Sequence, residues 1–274
     1  MVHNLAQMAL NTRKKVLEIS KGANKGHIGS GLSICEIVVA ILASSSGVGS
    51  NANDRTRIVL SKGHASLAFY AALSEFGIIS EDELATYCVN GTSYGTHPDS
   101  SQTGSDFMTG SLGQGIGFAV GCAIASSLQN RATSTFVVLS DSELNEGSTW
   151  ESLFLAGHRG LSSLVVVLDL NGQQALGKTK DVMRLDGIPE TLYKVGWNIS
   201  VVDGHNVEEL RKAVAREADD GSNPLFVIAN TIAGKGVSFM EGKVEWHYLP
   251  QSDEQHRRAM EEIRNQIELL ELTQ

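Results

Sequence analysis

Two oxygen-bearing side chains, Asp141 and Asn171, follow apolar, β-branched segments that predict buried strands. Asp141 follows residues 135–139 (TFVVL), and Asn171, thirty residues after Asp141, follows residues 164–168 (LVVVL). Neighbouring parallel strands would bring these oxygens together at the edge of the sheet where ligands bind. Mg²⁺ prefers oxygen ligands and is often shared between one or two protein groups and substrate phosphates. With a backbone carbonyl just past Asn171, the pair suggests a magnesium–diphosphate site, but spacing alone favours the plainer interpretation that Asp and Asn form turns at strand ends.

A second pattern at the same place suggests a different ligand. Residues 172–179 fit GxxxxGK[ST], the phosphate-binding loop of nucleotide-binding proteins, and Asp141 could then serve as the magnesium carboxylate. Such a loop requires a long helix that begins at its Lys-Thr pair and points its N-terminus at the phosphates. Gly187 and Pro189 interrupt the next segment within about two turns, so nucleotide binding is the less favoured alternative.

Five apolar segments predict strands, and the segments around them predict helices. The strands are expected at residues 57–60, 135–139, 164–168, 197–202 and 225–229. The helices are expected at residues 4–19, 34–43, 147–160, 207–218 and 253–270, and in a segment that ends at Gly77. Ser33, with Glu36 three residues later, predicts a capping box at the start of the second helix. The alternation predicts an α/β fold, doubly wound, with a mainly parallel sheet and helices on both faces.

A long irregular stretch precedes the second strand. Residues 91–117 are mostly Gly, Ser and Thr, and such a stretch inside a compact domain usually binds a ligand or is disordered. Gly113, Gly117, Gly121 and Ala125 then recur every four residues, which predicts a helix with small side chains on one face. Close packing in the core or against another subunit is the favoured interpretation of that face, ahead of a ligand role.

The composition is that of a globular protein rather than a disordered one. The chain has 274 residues with 42% hydrophobic and 19% charged residues, enough for one large domain or two small ones. The net charge of −9 argues against nucleic-acid binding. The sequence suggests neither a signal peptide nor a membrane span. Three cysteines without CxxC spacing predict buried free thiols in a reducing compartment, so we expect a cytoplasmic protein.

Taken together, the motifs resemble the N-terminal, diphosphate-binding half of transketolase. The similar stretches run from about residue 5 to residue 248 and include KGHIGSGLS, DRTRIVLSKGHASLAFYAAL, GTHPD, TGSLGQGIGFAVG, DSELNEGSTWES, DLNGQQALGKT, DGHN and TIAGKGVSFMEGKVEWHY. The resemblance implies the thiamine diphosphate-binding fold of the PP type over residues 1–250, followed by a C-terminal amphipathic helix at 251–274. It also implies thiamine diphosphate as cofactor, with Mg²⁺ or Ca²⁺.

The resemblance assigns the metal ligands. Asp141, Asn171 and the carbonyl oxygen of Gln173 match the family's three protein ligands. The family's signature begins Gly-Asp-Gly, whereas this chain has Ser140-Asp141-Ser142. Ser142 can still present its backbone N–H to a phosphate if its φ and ψ are not restricted to glycine. Residues 172–179 are then better explained as part of this metal-binding loop than as a nucleotide-binding loop.

The resemblance also assigns the residues around the reactive end of the cofactor. His27, His64, His97 and His247 match the family's active-site histidines, and imidazoles can donate to a sugar hydroxyl or a diphosphate and transfer protons near neutral pH. Glu146 matches a glutamate of the subunit-interface network. The implied cofactor contacts are His64, Gly110, Leu112, Gly113, Gln114, Asp141, Ser142, Glu146, Asn171 and His247.

The resemblance covers only half of a transketolase. The glutamate that activates the cofactor's pyrimidine ring belongs to a second domain in this family, and the chain ends at Gln274. We therefore expect a separate C-terminal subunit with the pyrimidine-binding domain, and a heterotetramer of two plus two chains. The implied reaction is transfer of a two-carbon ketol unit from a ketose or ketose phosphate to an aldehyde, with activity only when the partner is present.

Three other functions fit parts of the sequence. A deoxyxylulose-phosphate synthase is similar in fold, but SKGHASLAFYAAL and GTHPD resemble transketolase more closely. The E1 α chain of a dehydrogenase is split at the same point, but it is expected to differ in the histidine-bearing loops. Loss of both signature glycines could instead indicate a catalytically weak scaffold or regulatory subunit of a thiamine diphosphate enzyme. The four matching histidines, together with Asp141 and Asn171, argue against that alternative.

Overall fold

A five-stranded parallel sheet forms the centre of the computed structural model, which describes residues 4–219 and 221–273. The strands are β1 Arg57–Leu60, β2 Thr135–Ser140, β3 Leu164–Leu170, β4 Gln173–Gln174, β5 Gly177–Lys178, β6 Asn198–Asp203 and β7 Leu225–Asn230. The helices are α1 Leu5–Ala23, α2 Ile28–Leu32, α3 Cys35–Ala43, α4 Ser66–Glu75, α5 Glu81–Ala85, α6 Gly115–Leu128, α7 Gly147–His158, α8 Thr179–Val182, α9 Ile188–Lys194, α10 Val207–Val214 and α11 Asp253–Leu272. Three 3₁₀ helices span Gly63–Ala65, Asp141–Asn145 and Val244–His247.

The strand order in the sheet is β1-β2-β3-β7-β6, with every neighbouring pair parallel. In the β2–β3 pair, Ser140 lies opposite Asp169, so these two strands end at the same level. Strands β4 and β5 form a separate two-residue antiparallel hairpin directly after β3. The carboxyl ends of β2 and β3 and this hairpin therefore lie at one edge of the sheet.

The central strands bury side chains on both faces, as their uninterrupted apolar runs predict. Val138 and Val167 belong to one core, which they share with helices α1, α3, α4, α10 and α11. Val137 and Val166 point to the opposite face and pack in a second core with helices α6, α7 and α9. The predicted doubly wound α/β fold with helices on both faces is confirmed.

The predicted strands agree with the structure to within two residues, but the predicted cap of the second helix is wrong. Helix α3 begins at Cys35 after Ile34 and is not capped by Ser33. Ser33 follows α2 directly and has helical dihedrals (φ −68°, ψ −27°), whereas an N-cap residue is normally extended. Its hydroxyl donates instead to Asp169 Oδ2 at 2.8 Å.

The irregular stretch and the small-residue face also differ in part from expectation. Residues 86–114 form no helix or strand, in agreement with the prediction. Helix α6 starts only at Gly115, so Gly113 lies in the preceding loop with φ +78°. Gly117, Gly121 and Ala125 are exposed on α6, so core packing is the wrong interpretation of this face and subunit packing stays a prediction.

The three cysteines are free thiols, as the sequence predicts. Only Cys35 is buried, because it lies on α3 inside the helical core. Cys88 and Cys122 are partly exposed, so the expectation that all three are buried is wrong.

Candidate active site

Four histidines from four separate segments converge beyond the carboxyl ends of the strands. The ring centroid of His27 lies 5.5 Å from that of His64, 6.4 Å from that of His97 and 5.2 Å from that of His247. The ring centroids of His64 and His247 are 5.2 Å apart. The structure thus brings together all the histidines that the sequence selects.

Two glycines permit this close approach of the histidine-bearing loops. A Cβ on Gly26 would lie 2.2 Å from the backbone oxygen of Tyr248, so only glycine lets the chain before His27 pass that close. A Cβ on Gly63 would lie 3.1 Å from Cδ2 of His97. Substitution at either position would push two of the imidazole-bearing segments apart.

The histidines are uncharged at neutral pH. Burial lowers the pKa of all four, and in every case except His97 neighbouring positive or titratable groups lower it further. For His64 the second cause is the Lys62 ammonium, and its pKa lies well below the usual range. For His247 the second cause is His27, and its pKa falls to about 4.

A neutral imidazole has one donor and one acceptor nitrogen, and the local contacts occupy only part of this capacity. His247 Nδ1 lies 3.3 Å from Ser30 Oγ, and His97 Nδ1 lies 3.2 Å from Thr96 Oγ1. His27 Nδ1 is buried without a hydrogen-bond partner among the described residues. The cluster can therefore donate to or accept from the hydroxyls of a bound polyol.

At the end of β2, Asp141 is fully buried with one unused oxygen. Its Oδ2 accepts a hydrogen bond from Thr179 Oγ1, but its Oδ1 has no partner in the part of the chain that the structure describes. Burial is the main cause that raises the pKa of Asp141 to about 6; the negative charge of Asp169 adds to it, and the hydrogen bond from Thr179 opposes it. A buried carboxylate oxygen without a donor is the kind of group that a cation satisfies.

At the end of β3, Asn171 begins the hairpin loop. Its Nδ2 donates to Asp169 Oδ2 at 2.9 Å, which fixes the orientation of the amide. Its Oδ1 accepts the backbone N–H of Gln173 at 2.9 Å, an Asx turn that leaves one lone pair of this oxygen. Asp141 and Asn171 thus follow the paired ends of adjacent parallel strands, as predicted.

A buried ion pair connects the two parts of the site. Lys62 Nζ donates to Asp169 Oδ2, and both side chains are fully buried. Asp169 also accepts hydrogen bonds from Ser33 Oγ, Asn171 Nδ2 and Thr231 Oγ1. The pair ties the segment before His64 to the end of β3.

The loop before α6 lies against the end of β2. Gly113 N donates to Glu143 Oε1 at 3.0 Å, and Ser148 Oγ donates to Gly113 O at 3.0 Å. A Cβ on Gly113 would lie 2.7 Å from Glu146 Cβ. The predicted loop residues Gly110, Leu112 and Gln114 surround Gly113, and Gly110, Gln114 and Glu146 are exposed.

The donor set suits a hard cation bound together with phosphate oxygens. Along residues 4–219 and 221–273, no three or more His, Cys, Asp or Glu side chains are grouped so that they could hold a metal ion. The predicted ligands Asp141, Asn171 and Gln173 are one carboxylate, one amide and one carbonyl, which leaves coordination positions for a diphosphate and water. The unpartnered Oδ1 of Asp141 fits this arrangement.

Comparison with known proteins identifies the family. The family model described as "Transketolase, thiamine diphosphate binding domain" matches residues 5–265. The chain belongs to the transketolase family. It is 35% identical over 264 residues to the 6-deoxy-6-sulfo-D-fructose transketolase subunit SqwG of Clostridium sp. (strain MSTE9), with 95% of this chain and 96% of that protein covered. It is 32% identical to a subunit of the apulose-4-phosphate transketolase of Phocaeicola vulgatus, with 98% of this chain and 97% of that protein covered.

Solved transketolases share this fold. The transketolase of Campylobacter jejuni superposes with a TM-score of 0.87 at 27% identity, and the match covers 96% of this chain and 43% of that protein. Human transketolase is 33% identical over 270 residues, which are 96% of this chain and 42% of the human protein. The chain thus spans about two-fifths of these longer transketolases but nearly all of the two subunits.

The departure from the transketolase Gly-Asp-Gly signature has a simple structural outcome. Ser140 has an extended backbone (φ −97°, ψ 160°), and neither Ser140 nor Ser142 has a positive φ. The serines therefore adopt conformations open to any residue. The contact between the N–H of Ser142 and a phosphate stays a prediction.

The nucleotide-binding alternative lacks its required helix. Helix α8 begins at Thr179 but is only four residues long, Thr179–Val182. The preceding residues form the β4–β5 hairpin, and the Thr179 hydroxyl is engaged by Asp141. The transketolase loop, rather than a phosphate-binding loop, explains this segment.

Several buried residues that organise the site are not predicted from the sequence. Lys62 stands next to His64 in the SKGH motif, and Asp169 opens the D-x-N stretch, so both lie within motifs that the sequence does indicate. Glu143 is completely buried and forms a capping box with Ser140, a pattern that S-x-x-E announces in the sequence. That signal could have identified this second carboxylate beside Asp141.

Proposed function

We propose that the chain is the N-terminal, diphosphate-binding subunit of a thiamine diphosphate-dependent, transketolase-like transferase. The enzyme moves a two-carbon ketol unit from a ketose or ketose phosphate to an aldehyde acceptor. The observation that carries the proposal is the convergence of the neutral histidine cluster with the unpartnered oxygen of Asp141 at one edge of the sheet.

Thiamine diphosphate, when bound, supplies the electron sink for cleavage of a carbon–carbon bond. Asp141 Oδ1, Asn171 Oδ1 and the Gln173 carbonyl are the proposed ligands of Mg²⁺, or of Ca²⁺, which would anchor the diphosphate. A bound cation would favour the ionised form of the Asp141 carboxylate. The other proposed cofactor contacts are His64, Gly110, Leu112, Gly113, Gln114, the N–H of Ser142, Glu146 and His247.

The four histidines bind and orient the sugar and move its protons. Because they are neutral, they can offer donor and acceptor nitrogens to sugar hydroxyls without repelling one another. In His97 and His247 the Nδ1 atom already contacts a neighbouring hydroxyl, which leaves Nε2 for the sugar. The partly buried position of His64, next to Lys62, suits hydrogen bonding to an anionic or strongly polar group. His27, at the centre of the cluster, has an Nδ1 atom that no other described residue engages and that such a contact would use.

A partner chain is proposed to supply the pyrimidine-binding domain and its activating glutamate. Two relatives that this chain matches along nearly their whole length are named as subunits of transketolases. Their names specify a sulfonated and a phosphorylated sugar, which supports an anionic sugar as substrate. The exposed small-residue face of α6 and the exposed Glu146 are the proposed contact surface, in a heterotetramer of two plus two chains.

The proposed location is the cytoplasm. Within the described ranges, which omit residues 1–3, 220 and 274, no helix combines the length and the apolar character needed to cross a bilayer. Residues 1–250 are proposed as the cofactor-binding domain and residues 251–274 as an appended helix, of which the structure describes α11.

Reconstitution tests the proposal. The chain is mixed with thiamine diphosphate, Mg²⁺, ketose and aldose phosphates, with and without a C-terminal subunit that carries the pyrimidine-binding domain. Ketol transfer is expected only with both subunits. Robust turnover by this chain alone would contradict the two-subunit model, and cofactor binding without turnover in the complete assembly would indicate a scaffold.

Two histidine variants sharpen this assay. His64→Asn is expected to lower kcat/KM of the assembly by on the order of a hundredfold, the typical contribution of a positioned proton-transfer group. His158→Asn is the matched control, because His158 is exposed at the end of α7, and is expected to stay within about twofold of the parent. Equal effects of the two substitutions would remove the histidine cluster from the mechanism.

A further inference from the structure

A single buried carboxylate, that of Glu143, connects three segments of the site. Ser61 Oγ and Gly113 N both donate to its Oε1, the latter at 3.0 Å. Ser140 N donates to its Oε2 at 2.9 Å, and Ser140 Oγ lies 3.5 Å from the same oxygen. The side chain is fully buried, so these donors take the place of water.

Each of the three segments carries residues of the proposed cofactor site. Ser61 follows β1 immediately before Lys62 and His64, and Gly113 is in the loop proposed to lie along the cofactor. Ser140 ends β2 immediately before Asp141. None of the donors is a charged side chain, so Glu143 forms directional hydrogen bonds that fix the positions of these segments, and it forms no ion pair with them.

The hydrogen bond to Gly113 is the least replaceable of these contacts. Gly113 has φ +78°, a conformation that glycine adopts readily and other residues rarely do. Glu143 holds the N–H and Ser148 Oγ holds the C=O. Loss of the first contact would leave a buried N–H without a partner, because Gly113 is itself buried.

We propose that Glu143 is a positioning residue for the cofactor: it holds the Gly113 loop, the end of β2 and the segment before His64 in the arrangement that binds thiamine diphosphate and its metal ion. This inference rests on the proposed function. Because its side chain is fully buried and both of its oxygens are engaged, Glu143 would act on the cofactor only through Gly113 and Ser140.

Glu143→Gln is the most conservative test because it keeps the size of the side chain. Hydroxyl groups can rotate and become acceptors, but backbone N–H groups cannot. Whichever way the new amide turns, its NH₂ group faces either Gly113 N or Ser140 N. One buried backbone donor therefore loses its acceptor, with the loop or the strand end displaced as a result.

The matched control is Glu36→Gln. Glu36 is a second buried carboxylate, and it lies on helix α3 rather than in the loop proposed to bind the cofactor. Glu36 accepts from Arg13 Nη2 at 2.7 Å and contacts His205 Nδ1 at 3.2 Å, and these residues have no proposed cofactor role. It is 7% exposed, which makes it comparable in burial. Both substitutions are expected to lower the thermal unfolding midpoint.

The decisive readout is the affinity of the chain for thiamine diphosphate at saturating Mg²⁺, measured by calorimetry well below the unfolding midpoint of each variant. Glu143→Gln is expected to weaken binding on the order of tenfold, and Glu36→Gln to leave it within about twofold. An unchanged affinity in Glu143→Gln, or equal losses in both variants, would overturn the inference.

Two further results keep the outcome interpretable. If Glu143→Gln does not fold, Ser61→Ala removes one donor and keeps the carboxylate, and its affinity is expected to fall about threefold; no change there would overturn the inference as well. If the parent chain itself does not bind the cofactor, alone or with its partner, the proposed function fails, which is a different result from loss of binding confined to the variants.

Discussion

Replacing Lys62 by Met is expected to destabilise the fold strongly, because Lys62 forms a completely buried ion pair with Asp169. After the substitution the Asp169 carboxylate keeps only neutral donors, among them Ser33 Oγ at 2.8 Å and Asn171 Nδ2 at 2.9 Å. Removal of one partner from a buried pair typically costs about 3–5 kcal/mol, because the remaining charge stays away from water. Urea unfolding, followed by circular dichroism, measures the change.

A double-mutant cycle separates the ion pair from the packing of the lysine stem. Lys62→Met combined with Asp169→Asn removes both charges, so the double variant is expected to be more stable than the sum of the single effects predicts, by about 2 kcal/mol or more. A loss below about 1 kcal/mol for Lys62→Met, or strictly additive losses, would refute the view that this pair is desolvated and tightly coupled.

Three other predictions concern the site directly. Gly113→Ala should lower the free energy of unfolding by about 2 kcal/mol or more and weaken cofactor binding, because φ is +78° and the added Cβ would lie 2.7 Å from Glu146 Cβ and Ser148 Oγ; full stability in urea unfolding would contradict this. His247 has a pKa of about 4 in the folded chain and an ordinary value of 6.5 in the unfolded chain. The neutral ring therefore contributes its full stabilisation above pH 6.5, and the protein loses stability as the pH falls from 6.5 toward 4. His247→Gln should reduce that fall by about 1 kcal/mol, less than the full pKa difference implies, because the ring is partly exposed and solvent screens its charge. Identical pH profiles of parent and variant would refute the assignment. Asp141→Ala should abolish the Mg²⁺ dependence of thiamine diphosphate binding. Because Asp141 is a proposed metal ligand, its loss should weaken the affinity by at least the roughly 10–100-fold that removal of a residue hydrogen-bonded to a metal ligand costs. Calorimetry with and without EDTA measures both effects.

The sequence predicts the fold well because the central strands are uninterrupted apolar runs with one possible role. The apolar side chains of residues 164–168 are all removed from water only when the strand is buried on both faces of a sheet. The structure places this strand at the centre of the sheet. The strand ends that carry Asp141 and Asn171 follow from the same argument, since adjacent parallel strands end together.

The predictions fail where one residue has two possible partners at different distances along the chain. Ser33 fits a local capping box with Glu36, but its hydroxyl binds Asp169, a residue far away in sequence. Glu143 has a local signal as a cap and a long-range role to Ser61 and Gly113 that a local pattern cannot reveal. The convergence of the histidines likewise depends on loop packing, and only the resemblance to transketolase anticipated it.

The most direct test of the proposed site is a crystal structure of the chain, with its partner if needed, grown with thiamine diphosphate and Mg²⁺. We expect a cation about 2.0–2.1 Å from Asp141 Oδ1, Asn171 Oδ1 and the Gln173 carbonyl oxygen, with the diphosphate completing its coordination and the histidine cluster beside the cofactor. A diphosphate bound elsewhere, with Asp141 Oδ1 still without a partner, would contradict the proposal.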